Sequence, residues 1–184
     1  EECLLIGARE QQHKVEMAFD SDGVMVGLRD HVLANIGAPS ACPGWGMVFL
    51  TGLTMPGPYK VENIDVHMNA VTTNKPSWNA ARGYGKESTA IALELAMDNA
   101  ARQLGISPID LRLKNFIAKD AFPYNSPTGL VYDSGDYSGV LLKALETIGY
   151  QDWKDRQAAA RSEGRYLGIG MAFELTPEGG TIPG

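Results

Sequence analysis

Cysteine is nearly absent. Cys3 and Cys42 are the only two, far apart and without a CxxC, which excludes a disulfide scaffold or an all-protein iron–sulfur site and fits a reducing, cytoplasmic compartment. A basic surplus is missing as well. Sixteen Lys and Arg face 22 Asp and Glu for a formal net charge of −6, so neutralisation of phosphates along a nucleic acid is not expected. No apolar run approaches the roughly 20 residues that cross a bilayer, so a membrane span is not expected either. Internal repeats and low-complexity tracts are lacking, which removes solenoid and disordered classes. The first residues, Glu1-Glu2-Cys3, show no signal peptide and no initiator methionine, and Thr176 to Gly184 reads as an interrupted loop. The expectation is an excised fragment with neighbours on both sides.

What remains is a chain of 184 residues, 44% hydrophobic and 21% charged, the composition of one globular domain. Val15, Met17 and Phe19 alternate with polar residues, Ser21-Asp22-Gly23 offers turn chemistry, and Val24, Val26 and Leu28 resume the two-residue period, which predicts a β-hairpin. A pivot near Asp22 would set His13 opposite His31. Two ligands without a third or fourth make no metal centre, and a solvated polar strand face is the expected role. Residues 35–60 are dense in Gly and Pro and read as turns and connections. Ile64, Val66, Met68 and Ala70 then alternate as another half-buried strand, with His67 on its polar face.

The period changes in the second half. Ile91, Ala92, Leu95, Ala96 and Leu104 recur at helical spacing, with Ser88 as cap and Gly105 past the end, predicting a helix over 88–104. Ser107-Pro108-Ile109-Asp110 opens a short helix running to about Asn115. Val140, Leu141, Ala144, Leu145 and Ile148 mark a third, stopped by Gly149, and 151–163 a more exposed fourth anchored by Trp153. Leu167, Ile169, Met171, Phe173 and Leu175 alternate strictly, predicting a last strand. The fold class expected is α+β, with strands within 12–73, helices within 88–163 and a strand at 165–175.

Chemistry concentrates in Trp78 to Ser88. Gly83 and Gly85 open backbone conformations closed to other residues, a helix N-terminus follows, and Arg82 adds a fork of donors, so the loop leans towards anion binding. Tyr84, between the glycines, can present its ring to a planar ligand. A dinucleotide fingerprint would need glycine at Ser88, and a P-loop Ser or Thr at Glu87; both fail. The plainer alternative is a loop whose glycines only turn the chain and whose Arg82 pairs with a carboxylate. Elsewhere the serines lack a nucleophile elbow. Glu94 with Asp98 reads as a solvated stripe, and Glu174 as a residue of the polar strand face.

Several segments in order resemble the molybdenum hydroxylases of the xanthine dehydrogenase and aldehyde oxidase family. They are Gly57-Pro58-Tyr59-Lys60-Val61-Glu62-Asn63, Thr73-Asn74-Lys75-Pro76, Ala80-Ala81-Arg82-Gly83-Tyr84-Gly85, Asp110 to Ile117, Phe122-Pro123-Tyr124 and Pro127 to Tyr137. The resemblance implies that 1–184 is part of one molybdopterin-binding domain of a large subunit. It places Arg82, Gly83 and Gly85 at the cofactor and Tyr84 beside the substrate. It further implies molybdenum with molybdopterin in the cytosine dinucleotide form, and iron–sulfur clusters and FAD on partner subunits or domains. The reaction implied inserts water-derived oxygen into a C–H bond of a small aromatic heterocycle or aldehyde. A general-base glutamate and a second cofactor loop belong to the family but are not identified in this chain, so the piece alone is expected to be inactive. No cysteine lies near Arg82, so the copper of the carbon monoxide-oxidising branch is not expected. The region around Leu50 lacks the arginine of the purine-oxidising branch. Ala81 and Glu87-Ser88 depart from the usual family residues. Two rival readings stay open: a non-catalytic or assembly segment of such a complex, and an unrelated anion-binding domain.

Overall fold

The computed structural model describes residues 9–38, 44–78 and 82–175. Cys3, Cys42, Asn79-Ala80-Ala81 and the loop expected over 176–184 lie outside the described residues. Strands β1 (Gln11–Phe19) and β2 (Met25–Asn35) form the expected hairpin, and β2 also pairs in parallel with β3 (Asn63–Val71), giving the order β1-β2-β3. The turn is built by Asp20, whose Oδ1 accepts from the amides of Asp22 and Val24, both at 2.9 Å. A bulge between Ala18 and Phe19 shifts the pairing, so His13 faces Val32 while His31 faces Lys14 on one side and His67 on the other. The expected His13–His31 pair is therefore wrong. A one-residue slip sends neighbouring side chains to opposite faces of a sheet.

The connection between β2 and β3 contains helix α1 (Gly44–Leu53), which corrects the reading of 35–60 as turns alone. Its buried positions Gly44, Met47, Val48, Thr51 and Gly52 recur at helical spacing. Three of the five are Gly or Thr, so the inward stripe carries little hydropathy. Gly52 allows close approach to β3, because a Cβ there would lie 2.0 Å from Met68 Sδ.

Helix α2 (Lys86–Leu104) ends at Gly105 in the left-handed conformation, as expected. It begins two residues before Ser88 and uses no Ser88 cap. Helix α3 (Pro108–Asn115) starts with Ser107 Oγ accepting from the Ile109 amide at 3.2 Å. Asn115 closes α3 onto the hairpin, accepting from the Met25 amide at 2.7 Å and donating to the Gly23 carbonyl at 3.0 Å. A two-stranded ribbon, β4 (Tyr124–Asn125) and β5 (Val131–Tyr132), precedes α4 (Tyr137–Ile148), capped by Asp136 through the Gly139 amide at 2.9 Å. Helix α5 (Tyr150–Ser162) is mostly exposed, with Trp153 under the Arg156 guanidinium.

The main core gathers Met25 and Leu28 of β2, Met55, Tyr59 and Val61 of the connection, Leu93 and Met97 of α2, Leu111 of α3 and Leu141 of α4. Each such fully buried side chain contributes about 1.5–3 kcal/mol of apolar burial. A second, smaller core joins Ala34, Ile36, Met47, Val48 and Trp78, with Tyr84 packed against it. Residues 165–175 correct the expectation of a last strand, for they pair with no strand among the described residues. The alternation itself holds: Met171, Phe173 and Leu175 pack on the main core while Ala172 and Glu174 are exposed. A strand needs a ladder partner as well as a periodic sequence.

Candidate functional site

The loop before α2 has an unusual backbone. Gly83, Tyr84 and Gly85 take three successive positive φ values of 108°, 53° and 97°. Tyr84 is thus a non-glycine residue in the left-handed region, where a Cβ crowds the following carbonyl at a cost of about 1–2 kcal/mol. Neighbouring contacts fix this shape. A Cβ on Gly85 would stand 2.0 Å from the Met47 carbonyl oxygen, and one on Gly83 2.3 Å from Glu87 Oε2. The two glycines therefore let the loop close onto α1 and let Glu87 fold back beneath it.

Glu87 supplies the anion that the helix start calls for. Its Oε2 accepts from the Gly85 amide at 2.9 Å and its Oε1 from Arg9 Nε at 2.7 Å, while Arg9 Nη2 donates to the Arg82 carbonyl at 2.7 Å. A carboxylate at a helix N-terminus is favoured by the aligned peptide dipoles. Among the described residues the Glu87 carboxylate pairs with Arg9, and Arg82 is exposed. Thr51 of α1 ties the other side, its Oγ1 3.0 Å from the Gly85 carbonyl, and Thr89 Oγ1 donates to the Thr51 carbonyl at 2.7 Å. Tyr84 is half-buried, with its hydroxyl over Gly46 of α1, where a Cβ would come within 3.1 Å.

A polar chain runs from this loop into the sheet. Gln11 Nε2 donates to Thr51 Oγ1 at 3.0 Å, Gln11 Oε1 meets His13 Nε2 at 3.0 Å, and His13 Nδ1 meets Asp30 Oδ2 at 2.7 Å. Asp30 is wholly buried. Alternate residues of β1 thus link a buried carboxylate to the carbonyl of Gly85. Arg9, Gln11 and His13 also line a cleft between β1 and α2 together with Ser88, Ile91 and Leu95.

Sequence reasoning missed a second cluster. Glu94 is no solvated stripe: its side chain is 3% exposed and receives Arg112 Nε and the Phe173 amide, both at 2.9 Å, and the Tyr59 hydroxyl. Arg112, fully buried, also reaches Asp98 Oδ1 at 2.8 Å and the carbonyls of Pro108 and Glu94. Burial pulls the guanidinium down, but Tyr59, Glu94 and Asp98 together hold it above its ordinary value. Burial, then the charge of Glu94, pushes the Tyr59 phenol well above its usual range. The signal available was Arg112 inside a helix with apolar neighbours Leu111 and Leu113. This cluster fastens α2, α3 and the final segment together.

The structure thus keeps Arg82, Gly83, Tyr84 and Gly85 in one loop and gives them different surroundings. Arg82 is open to solvent, Gly83 and Tyr84 are half-buried, and Gly85 is buried against α1. Such a loop offers an outward guanidinium and a ring of fixed direction, with an acidic group already balanced by Arg9.

The sequence matches the molybdopterin cofactor-binding domain family over residues 4–116. It is 35% identical over 177 residues to the carbon monoxide dehydrogenase large chain of Afipia carboxidovorans, covering 90% of this chain and 22% of that one. It is 31% identical over 183 residues to the nicotine 6-hydroxylase large subunit of Paenarthrobacter nicotinovorans, covering 97% and 22%. Among solved structures, quinoline 2-oxidoreductase of Pseudomonas putida superimposes with a TM-score of 0.79 at 32% identity, over 88% of this chain and 21% of that one. The chain spans about a fifth of the length of the relatives it matches. No helix among the described residues is long and apolar enough to cross a membrane.

Proposed function

The chain belongs to the molybdopterin cofactor-binding domain family, and on that premise we propose that it forms one part of the large subunit of a molybdenum hydroxylase, with the Arg82–Gly85 loop at the edge of the cofactor. The observation that carries this reading is the closed left-handed loop held on α1 by Thr51 and Glu87, with Arg82 exposed at its rim. The residues fit an anionic cofactor at this edge: an exposed guanidinium stands beside Gly83, a position free of side chain, and Arg9 offsets the Glu87 charge. Arg82 and Gly83 would hold the group. Gly85 would set the loop's distance from α1, and Tyr84 would border the substrate with its half-exposed ring.

Molybdenum with molybdopterin, in the cytosine dinucleotide form, supplies the two-electron chemistry that places water-derived oxygen on a C–H carbon. This chain's residues orient and exclude rather than react. Tyr84, locked between α1 and the loop, restricts the approach of a planar ring, and Arg82 fixes negative charge at the loop's rim. The substrate class is a small aromatic N-heterocycle or aldehyde, in keeping with the quinoline and nicotine enzymes named above. Carbon monoxide is disfavoured because no cysteine near Arg82 offers a thiolate to copper. Iron–sulfur clusters and FAD on partner subunits would accept the electrons, and the rest of the large subunit would complete the site.

The test is made in the complete complex. Arg82→Ala is expected to lower molybdenum and pterin content, whereas Tyr84→Ala keeps both and lowers kcat/KM for quinoline-type substrates at least about tenfold, a loss of about 1.4 kcal/mol in transition-state stabilisation. Normal cofactor content and turnover in both variants would favour the assembly role and overturn this reading.

A further inference from the structure

We propose that His31, Asp65 and His67 form a site for a zinc-type divalent ion on the open face of the sheet, independent of the loop and its cofactor. The parallel pairing of β2 with β3 sets His31 directly opposite His67, and Asp65 lies two residues earlier on β3, hence on the same face. The two imidazole rings meet edge to face with centroids 5.0 Å apart. His67 Nε2 lies 3.0 Å from Asp65 Oδ1, and one ligand atom from each of the three residues falls within 4.8 Å of the others. Tetrahedral zinc with bonds of about 2.0–2.1 Å separates its ligand atoms by roughly 3.3 Å. The rings need only turn slightly on an exposed surface to close around an ion.

The surroundings support a site rather than a chance meeting. Arg29 Nε donates to Asp65 Oδ2 at 2.9 Å, which fixes the carboxylate and leaves Oδ1 aimed at His67. A ligating carboxylate is typically held in this way by a further hydrogen bond. Arg29 is in turn 3.6 Å from Glu16 on β1. Among the described residues the other cation opposite His31 is Lys14, strongly exposed and 3.9 Å from Glu16, so its charge is both paired and screened. Two imidazoles and one carboxylate suit a borderline ion such as zinc and not magnesium, which prefers an all-oxygen shell. A fourth position stays open to water.

The complete complex, first dialysed against chelator, is equilibrated with micromolar Zn²⁺, and zinc is measured by elemental analysis beside molybdenum. Wild type is expected to hold one more zinc per chain than His31→Gln or His67→Gln, each variant binding at least about tenfold more weakly, with molybdenum content unchanged. Mg²⁺ in place of Zn²⁺ leaves no such difference. In wild type, Zn²⁺ is also expected to protect His31 and His67 from diethyl pyrocarbonate, read by peptide mass spectrometry. Equal zinc content in wild type and both variants, or equal modification with and without zinc, would overturn the proposal.

Discussion

Removing Arg112 tests whether the buried cluster under α2 behaves as a coupled unit. At 2.9 Å from Glu94, the pair attracts by about 6 kcal/mol at an effective dielectric of about 20. Most of that is offset by loss of solvation for two charges, so the net worth of the intact pair is small. The loss of one partner is another matter. In Arg112→Met the Glu94 carboxylate keeps the Tyr59 hydroxyl and the Phe173 amide but no counter-charge, and the expected destabilisation is about 3–5 kcal/mol. Glu94→Gln leaves Arg112 with Asp98, which is partly solvated, and should cost about 2–3 kcal/mol. The double variant removes both charges, so its cost should fall below the sum of the singles by at least about 1.5 kcal/mol. Pulse proteolysis across a urea series, following cleavage around residues 86–116 in the full-length subunit, measures all three. Costs that add to within about 0.5 kcal/mol would refute the coupling.

Gly85→Ala should destabilise the loop by on the order of 2–4 kcal/mol, since the position needs a left-handed residue and a Cβ collides with the Met47 carbonyl; unchanged resistance of residues 82–86 to limited proteolysis would contradict this. Alkaline pH offers a second check. Burial raises Tyr132 to about 12 and Tyr59 well above its usual range. Because the folded values exceed the unfolded value of about 10, the stabilisation is complete below pH ~10 and is lost as pH rises through the folded values. Tyr59→Phe should flatten the fall in stability between about pH 10 and 12, read from urea midpoints against pH; an unchanged slope would count against a buried neutral phenol.

The parts legible in the sequence were those written in local chemistry. Gly105, Ser107-Pro108 and Gly149 punctuate α2, α3 and α4 where the structure places the boundaries, because caps satisfy groups a few residues away. The family followed from collinear segments, not from any one spacing. What escaped depended on distant partners. Glu94 is buried because Arg112 comes from the next helix, eighteen positions on. Helix α1 turns Gly and Thr inward beside Met47 and Val48, so its period carries little hydropathy signal. The role of Ser88 passed to Glu87, which reaches back to Gly85. His31 changed neighbours because a bulge at Ala18 and Phe19 is invisible to alternation.

The run of three left-handed residues has a consequence for how this protein can change. At position 85 a single methyl meets the Met47 carbonyl, so that glycine cannot vary without moving the scaffold, while at 83 it would displace the Glu87 side chain at a φ of 108° that side chains rarely adopt. Adaptation of the loop's chemistry is thereby confined to two side chains, the outward cation at 82 and the ring at 84. Any broader retuning must come from the surfaces that face them.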